Sequence, residues 1–385
     1  SRLEYIGPTG SRIETWQSVA RVIADRPWLG SGPETLKMIF PQYENDRFRF
    51  QEGFHVKQDR SHNEVLDLAV TKGVPALLVY VWMLFLFFRV LWKKRHSDPG
   101  GESRLITATL AGAAAAYLAQ NQFSFGVVAI TSLFWVILGM GTRLSTQEND
   151  VELQTSPGTI TNWWGVVAGG LIVATGVLVA VLFYRGDLFY KSGKTLSEMR
   201  MNDLAISQYQ DALRDSPLEG TYSVNLGLAE LNHWVDTARD EDFRAARNAF
   251  QYGQKIDPFN ADNYYIESRL LLMGGKNVKD IAEARRLAQK ALQIDPYYTE
   301  VHLNLAVAAQ SEKNIPLAAN HYMQALLINP KLDEGYQGLH GIYRGAGSSG
   351  YRAALKRIAQ KYPDSSDVTV RLAEAFQMTG DLPQA

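Results

Sequence analysis

Four long apolar stretches divide this chain, and they restrict its possible folds more than any other feature of the sequence. Each approaches the roughly 20 residues that a helix needs to cross the hydrocarbon core of a bilayer. The middle two are shorter, and their alanine-rich part is also compatible with a buried helix of a soluble protein. The polar pair Asn121-Gln122 between them favours a membrane hairpin. We therefore predict four transmembrane helices, at residues 74–92, 105–120, 126–142 and 163–184.

The charged residues beside these stretches predict a topology. Lys93-Lys94-Arg95 follow the first stretch directly, and such basic clusters are retained in the cytoplasm. Residues 1–73 are then an extracytoplasmic segment, and 74–142 contain three transmembrane helices. Residues 143–162 form a cytoplasmic linker, and the fourth helix, 163–184, exports the rest of the chain.

From about residue 186 the sequence repeats itself. Helix-stopping dipeptides recur at Ser216-Pro217, Asp257-Pro258, Asp295-Pro296, Asn329-Pro330 and Tyr362-Pro363. Before the first four stops, small residues stand at fixed offsets, in the pairs Ala205 and Ala212, Ala246 and Gly253, Ala284 and Ala291, and Ala318 and Ala325; bulky residues lie between them at Tyr209, Phe250 and Tyr322. The pattern resembles the tetratricopeptide repeat, in which antiparallel helix pairs pack through small residues. We predict an all-α chain, in which polytopic membrane helices precede an extracytoplasmic α-solenoid over 186–385, truncated after the first helix of its last repeat.

Composition excludes several kinds of protein. The formal net charge is −1 and no long basic run occurs, so nothing indicates nucleic-acid binding. The chain has no cysteine and therefore no disulfide framework. Gly30-Ser31-Gly32 is interpreted as a tight turn, and Asp240-Glu241-Asp242 as a solvated loop between repeat helices. We predict neither a metal nor a cofactor.

One histidine stands just before the first apolar stretch. Ser61 and Glu64 have the spacing of a capping box, which predicts that His62 and Asn63 lie in the first turn of a helix at the water–lipid boundary. The partial positive charge of a helix N-terminus disfavours imidazolium, so His62 is expected to stay able to accept a proton. His55, in the same segment, is the alternative candidate for this proton-accepting role.

Three motifs of the membrane half resemble the O-antigen ligase superfamily, which contains O-antigen ligases, polymerases and O-oligosaccharyltransferases. The first is Arg12-Ile13-Glu14-Thr15-Trp16, continuing to Arg26-Pro27-Trp28-Leu29-Gly30-Ser31-Gly32. The second is His62-Asn63 followed, after nine residues, by Gly73. The third is the polar break Asn121-Gln122-Phe123-Ser124-Phe125.

The resemblance, over about residues 1–142, implies a multi-pass glycosyltransferase of the bacterial cytoplasmic (inner) membrane. Such an enzyme moves a glycan from an undecaprenyl-diphosphate carrier to an extracytoplasmic glycolipid or protein acceptor, without a metal and with inversion at the anomeric carbon. The earlier membrane helices of the family are absent from this chain, so we expect the chain alone to be inactive. The repeats are expected to bind a protein partner.

The resemblance also implies roles for individual residues. His62 would take the proton from the acceptor hydroxyl. Arg12 would hold the diphosphate bidentately, because a guanidinium stays charged and matches phosphate oxygens. Ser11 and Glu14 have the spacing of a second capping box, which predicts that Arg12 begins a helix. Trp16, one turn further on, would brace the guanidinium.

Four further residues are candidates for substrate binding: Arg60, Asn63, Arg47 and Arg49. Arg60 and Asn63 flank the histidine motif. The segment Arg47-Phe48-Arg49-Phe50 fits two interpretations, a grip on the lipid diphosphate or an interfacial loop that dips its aromatic rings among the headgroups.

Two other functions remain open at this stage. The chain could be a membrane-anchored repeat scaffold that recruits cell-envelope partners, or a polysaccharide polymerase that uses the same chemistry. A transporter is disfavoured, because Arg89 is almost the only charge inside a predicted span. The acceptor and the sugar are not determined by the sequence.

Overall fold

The computed structural model describes residues 7–53, 56–97, 101–124, 126–146, 163–275, 277–344 and 348–379. Over these residues the chain is helical and contains no strand, which confirms the predicted all-α fold. It divides into two compact units, within residues 3–160 and 161–385. His55, Phe125 and most of the predicted linker, 147–162, lie outside the described residues.

The first unit begins with four helices around a small core. They are α1 (Gly7–Asp25), α2 (Leu36–Ile39), α3 (Asp46–Glu52) and α4 (Glu64–Lys72), with a 3-10 turn at Phe40–Gln42. The buried apolar side chains of this core are Val19, Val22, Leu36, Ile39, Phe40, Phe48 and Val70. Phe40 and Phe48 meet edge to face, with ring centroids 4.9 Å apart. Phe48 therefore belongs to the protein core, and the interpretation of its segment as a loop dipping into headgroups is wrong for this ring.

Three longer helices follow in the same unit: α5 (Val74–Ser97), α6 (Gly101–Gln120) and α7 (Val128–Thr146). They pack on one another through Phe87, Leu91, Leu110, Ala114, Tyr117, Phe134 and Leu138. Other faces expose large apolar side chains, including Trp82, Leu133 and Trp135. A helix that is apolar all round suits a membrane better than water.

Two helices of the described chain are long and apolar enough to cross a membrane, namely α5 and α8 (Trp163–Glu198). The apolar part of α7 is shorter, at Val128–Arg143, and α6 does not qualify by itself. Helices thus form at all four predicted positions, and two of them have the length and apolarity of a span.

The second unit begins with α8, a single helix of 36 residues. The predicted boundary between the fourth span and the repeats, near residue 185, is therefore no break in the helix. In its C-terminal part, Gly186 and Gly193 are buried. A Cβ at Gly193 would lie 2.8 Å from the ring of Tyr209, so this part of α8 serves as the first helix of the first repeat.

The other helices of the second unit are α9 (Asn202–Asp215), α10 (Gly220–Thr237), α11 (Asp240–Ile256), α12 (Ala261–Gly274), α13 (Val278–Ile294), α14 (Thr299–Ser311), α15 (Ile315–Ile328), α16 (Asp333–Tyr343), α17 (Ser348–Lys361) and α18 (Ser366–Thr379). The odd-numbered helices α9 to α17 each end directly before one of the five predicted stops. The predicted small residues are buried, and the rings of Phe250 and Tyr322 lie against Gly227 and Gly338 of neighbouring helices. The repeat architecture is confirmed.

One local prediction in the repeats is wrong. Asp240-Glu241-Asp242 is the first turn of α11 and not a loop. Asp242 is nearly buried and accepts hydrogen bonds from the Thr237 hydroxyl and from Arg239 Nε, the latter at 3.0 Å. Acidic residues are favourable at a helix N-terminus because of the helix dipole.

Candidate active site

His62 lies two residues before α4, ahead of its N-cap, and not in its first turn. Asn63 is the N-cap, and its Oδ1 accepts a hydrogen bond from the backbone N–H of Leu66 at 3.0 Å. The predicted capping box of Ser61 and Glu64 is wrong, because asparagine is itself among the strongest N-cap residues. His62 has a φ of 52°, in the left-handed region that side chains other than glycine rarely adopt. Such a conformation persists only where its surroundings impose it.

The buried carboxylate of Asp67 holds the residues that precede His62. Its Oδ1 accepts a hydrogen bond from the backbone N–H of Ser61 at 3.1 Å and lies 3.2 Å from Ser61 Oγ. Its Oδ2 accepts from Arg60 Nη1 at 3.1 Å, and Arg60 also pairs with Glu34. Arg60, a predicted substrate-binding residue, is therefore engaged by two carboxylates of the protein.

The third motif, after α6, lies against the same segment. Asn63 Nδ2 donates to the carbonyl oxygen of Gln122 at 2.9 Å. The backbone N–H of Glu64 donates to the carbonyl oxygen of Asn121 at 2.9 Å. The Glu64 Oε2 accepts from the backbone N–H of Gly126 at 3.0 Å. Asn63, which was predicted to bind substrate, thus has both side-chain polar atoms engaged within the protein.

Helix α1 contacts the His62 segment through Trp16. The indole Nε1 of Trp16 donates to the carbonyl oxygen of Ser61 at 2.8 Å. Because α1 already begins at Gly7, Ser11 lies inside the helix, and the second predicted capping box is also wrong. Arg12 is exposed and precedes Trp16 by four positions, so both lie on one face of α1. Arg12 therefore lies on the face of α1 that carries Trp16, one turn before it.

Two other predicted arginines lie on α3 in different surroundings. The side chain of Arg49 is 3% exposed and pairs with Glu44 at 3.1 Å and with Asp46. A buried guanidinium with two carboxylates is not available to a substrate. The side chain of Arg47 is 56% exposed, and its Nη1 lies 3.7 Å from Oε1 of the buried Glu14. Arg47 therefore remains accessible.

The glycine-containing turn of the first motif is hydrogen-bonded to the C-terminal end of α4. The backbone N–H groups of Ser31 and Gly32 donate to the carbonyl oxygens of Val70 and Thr71 at 2.8 and 3.0 Å. These carbonyls have no partner within α4 because they lie in its last turn. Gly30, with a φ of 65°, allows the close approach. The first two motifs are consequently in direct contact in the folded chain.

Two carboxylates build this site in ways that the sequence did not predict. Asp67 was not identified as a candidate, and Glu64 was predicted to form a capping box and not to bind the backbone of Gly126. The available signal was Asp67 between Leu66 and Leu68, an acid that is buried in the structure although carboxylates are seldom buried unless paired. Within the part of the chain that the structure describes, no group of three or more His, Cys, Asp or Glu side chains is placed to hold a metal ion. What the site presents is a half-buried imidazole on a strained backbone, with an exposed arginine on the adjoining helix.

Comparison with known families gives the same division of the chain. The family model described as O-Antigen ligase matches residues 7–81, and the one described as Tetratricopeptide repeat matches residues 278–341. These matches confirm the predicted fusion of an O-antigen-ligase-like membrane region with tetratricopeptide repeats. A search of curated proteins finds no match.

Several solved structures resemble the chain at low identity. A thermophilic tetratricopeptide-repeat protein of Thermus thermophilus is 17% identical with a TM-score of 0.37, and the match covers 50% of this chain and 99% of that one. The pilF protein of Pseudomonas aeruginosa is 16% identical with a TM-score of 0.40, over 52% and 88% of the two chains. MamA of Desulfovibrio magneticus is 12% identical with a TM-score of 0.38, over 47% and 97%.

Proposed function

We propose that residues 7–81 form the acceptor-activating part of a membrane glycosyltransferase of the O-antigen ligase type. The donor is a glycan on undecaprenyl diphosphate, and the acceptor is a hydroxyl group outside the cytoplasm. The hydrogen bond from Trp16 to Ser61 supports this most directly, because it sets the helix that carries Arg12 against the segment that carries His62. The O-antigen ligase family match covers the same residues.

In the proposed reaction, a ring nitrogen of His62 accepts the proton of the acceptor hydroxyl. The oxygen attacks the anomeric carbon from the face opposite the diphosphate, and a new C–O bond forms. The bond from that carbon to the diphosphate oxygen breaks, and the diphosphate leaves with the electron pair, which inverts the anomeric configuration. Arg12, assisted by the accessible Arg47, stabilises the released charge through charge-assisted hydrogen bonds, so the step requires no metal.

The proposed topology places this chemistry on the extracytoplasmic face of a bacterial inner membrane. Helix α5 has 24 residues, or about 36 Å at 1.5 Å per residue, which is enough to cross the bilayer core. Its last turn carries Lys94, Arg95 and His96, and a basic end of this kind stays in the cytoplasm. His62 precedes the N-terminal end of α5, which lies on the other side of the membrane in this topology. Helices α6 and α7 then form a membrane hairpin, and α8 carries the repeats to the outer side.

Replacement of His62 in the full-length protein tests the proposal. His62→Ala is expected to lower glycan transfer in isolated membranes by about 100-fold or more, as loss of a general base does. His96→Ala, at the exposed cytoplasmic end of α5, is the matched control and should retain wild-type transfer. Wild-type transfer by a well-expressed His62→Ala protein would refute the assignment of the base.

A second function, recruitment of envelope proteins, is favoured by the repeats. Stacked helix pairs present an extended concave surface that suits a protein partner. As a pure scaffold, the protein would bring partners together without using His62, and His62→Ala would leave the surface polysaccharide unchanged. As a polymerase, it would use His62 but join the glycan to a growing chain. The length distribution of the glycan in the variant separates these possibilities.

A further inference from the structure

A pocket of about 350 Å³ lies in the repeat unit, where α10 is joined to α11 and α12 is joined to α13. It coincides with an irregularity of the sequence. The intervals from Pro217 to Pro258 and from Pro258 to Pro296 are 41 and 38 residues long, whereas the later two intervals between stops are 34 and 33. Insertions of this kind collect on one face of a repeat array, which is often the binding face.

The inserted residues lengthen the helix ends that line the pocket. Helix α10 has 18 residues where α14 has 13, and both begin three residues after a proline, so the extra length of α10 is at its C-terminal end. Helices α11 and α13 have 17 residues where α15 has 14, and all three end directly before a stop. Their extra turns are therefore N-terminal. The pocket is an addition to the regular repeat.

Two aromatic rings form the apolar wall of this pocket. Trp234, near the end of α10, and Phe243, near the start of α11, meet edge to face with ring centroids 5.4 Å apart. Both pack against the buried core of these helices, and a Cβ at Gly274 would lie 2.7 Å from either ring. Both side chains are still partly exposed. Surfaces that are rigid before binding cost little conformational entropy when a ligand arrives.

The rest of the lining contains both acceptors and donors of hydrogen bonds. The carboxylates of Asp240 and Asp280 are acceptors. Arg244, one turn after Asp240, is exposed and forms no ion pair within the part of the chain that the structure describes. The Oδ1 of Asn277 accepts from the backbone N–H groups of Lys279 and Asp280 at 2.9 and 3.1 Å, so its Nδ2 can donate to a ligand.

This combination matches a sugar better than a charged or an apolar ligand. A hydroxyl group both donates and accepts, and neighbouring hydroxyls can engage both oxygens of a carboxylate or two N–H groups of a guanidinium. The C–H face of a sugar ring packs on an aromatic ring. An anion would be repelled by Asp240 and Asp280, a cation would be repelled by Arg244, and an apolar ligand would desolvate all of these groups. We propose that the pocket binds one or two sugar rings of an uncharged glycan.

The origin of that glycan follows from the proposed function. The inference rests on that function for identifying the sugar as part of the transferred glycan, whereas the chemistry of the pocket is independent of it. The volume is at the lower end of the roughly 300–1,000 Å³ of ligand pockets, which suits a short segment of a glycan. Recognition of the sugar is then shared between the repeats and the residues around His62.

Binding of neutral sugars to the full chain in detergent tests the proposal without any assay of transfer. The probes are N-acetylglucosamine, galactose, rhamnose, lactose and chitobiose, with glucuronic acid as the anionic comparison, and affinity is measured by saturation-transfer difference NMR. At least one neutral probe should bind more tightly than glucuronic acid. Arg244→Ala should weaken that binding about tenfold, because it removes a charged donor. Lys255→Ala, exposed at the other end of α11, is the matched control and should bind like the wild type.

A second measurement on the wild type locates the sugar without a substitution. A diazirine derivative of the best neutral probe is photo-cross-linked, and mass spectrometry should find the label within residues 234–244 or 274–280. Labelling confined to other residues would overturn the proposal. Equal affinity of the wild type and Arg244→Ala, or a failure of every neutral probe to bind, would overturn it as well.

The variant His62→Ala separates this inference from the proposed function. It should bind the probe at the repeat pocket as the wild type does, whatever its transfer activity. Normal transfer by His62→Ala, together with weakened sugar binding by Arg244→Ala, would reject the proposed base and leave the pocket assigned. Lost transfer in His62→Ala, together with unchanged sugar binding by Arg244→Ala, would reject the pocket alone.

Discussion

The indole nitrogen of Trp16 donates a hydrogen bond of 2.8 Å to the backbone carbonyl oxygen of Ser61, which lies 45 residues further along the chain. This bond ends one residue before His62, whose backbone is in the left-handed conformation. Two further contacts hold the same short segment. Asp67 accepts hydrogen bonds from Arg60 and Ser61, and Asn63 donates one to the turn after α6. The position of His62 is thus determined from three parts of the chain.

Trp16→Phe should therefore impair transfer without unfolding the protein. The substitution keeps the aromatic volume and removes one hydrogen bond, which contributes about 1 kcal/mol. We expect a several-fold loss of glycan transfer and a slightly lower melting temperature. Trp82→Phe, on the exposed face of α5, removes an indole that does not hold the His62 segment and should have no effect on transfer. Equal effects of the two substitutions would show that the bond to Ser61 does not position His62.

Asp67→Asn tests the carboxylate that supports the loop. Asparagine has nearly the same shape, but it loses the charge that Arg60 requires, and one of its two polar atoms can only donate. Hydrogen bonds to charged groups contribute roughly 1.5–3 kcal/mol, so we expect clear destabilisation and at least a tenfold loss of transfer. The exposed neighbour Asp59 provides the control, and Asp59→Asn should resemble the wild type in both measurements.

Gly73→Ala is predicted to be strongly destabilising. Gly73 has a φ of 87°, and a Cβ there would overlap the backbone carbonyl group of Trp28, so both the backbone and the packing would be strained. We expect a loss of about 3 kcal/mol or more in the free energy of unfolding. At Gly112, in the middle of α6, an added Cβ meets no atom within 4 Å. Gly112→Ala should be neutral or stabilising by up to about 1 kcal/mol. Chemical denaturation in detergent distinguishes the two outcomes.

The stability of the repeat unit should fall in mild acid. Burial and the neighbouring His321 lower the pKa of His302 from 6.5 to about 4. The unfolded chain therefore binds a proton at a higher pH than the folded chain does, and stability that is complete above pH 6.5 is lost as the pH falls towards 4. The melting temperature of the wild type should decrease over this range, and His302→Gln should flatten the decrease. A parallel decrease in both proteins would contradict this assignment.

The repeat unit was predictable because its determinants are local and periodic. The ring of Phe250 against Gly227 and the helix stops at prolines recur at nearly regular intervals along the chain. Both predicted capping boxes failed for an equally local reason. Asn63 competes with Ser61 for the end of α4, and α1 extends back to Gly7, so Ser11 is not a terminus at all.

The assembly of the site was not predictable in the same way. The motifs that contain Arg12, His62 and Asn121 were visible in the sequence, but no period or spacing indicates that they meet. Their contacts are bonds to backbone carbonyl groups, such as that of Gln122, and these depend on the shape of the chain more than on residue type. Arg49 is a different case, because its partner Asp46 stands three residues earlier, a spacing at which helix side chains meet. That spacing does not reveal that the side chain of Arg49 is buried.

The continuity of α8 has a mechanical consequence. A helix of 36 residues is about 54 Å long, whereas the hydrocarbon core of a bilayer is about 30 Å thick. In the topology we propose, the apolar part of α8 lies in the membrane, and the helix then extends roughly 20 Å beyond the core, where the first repeat is built on it. Under that topology, any tilt or rotation of α8 in the lipid is transmitted to the repeats and changes their height and orientation above the bilayer.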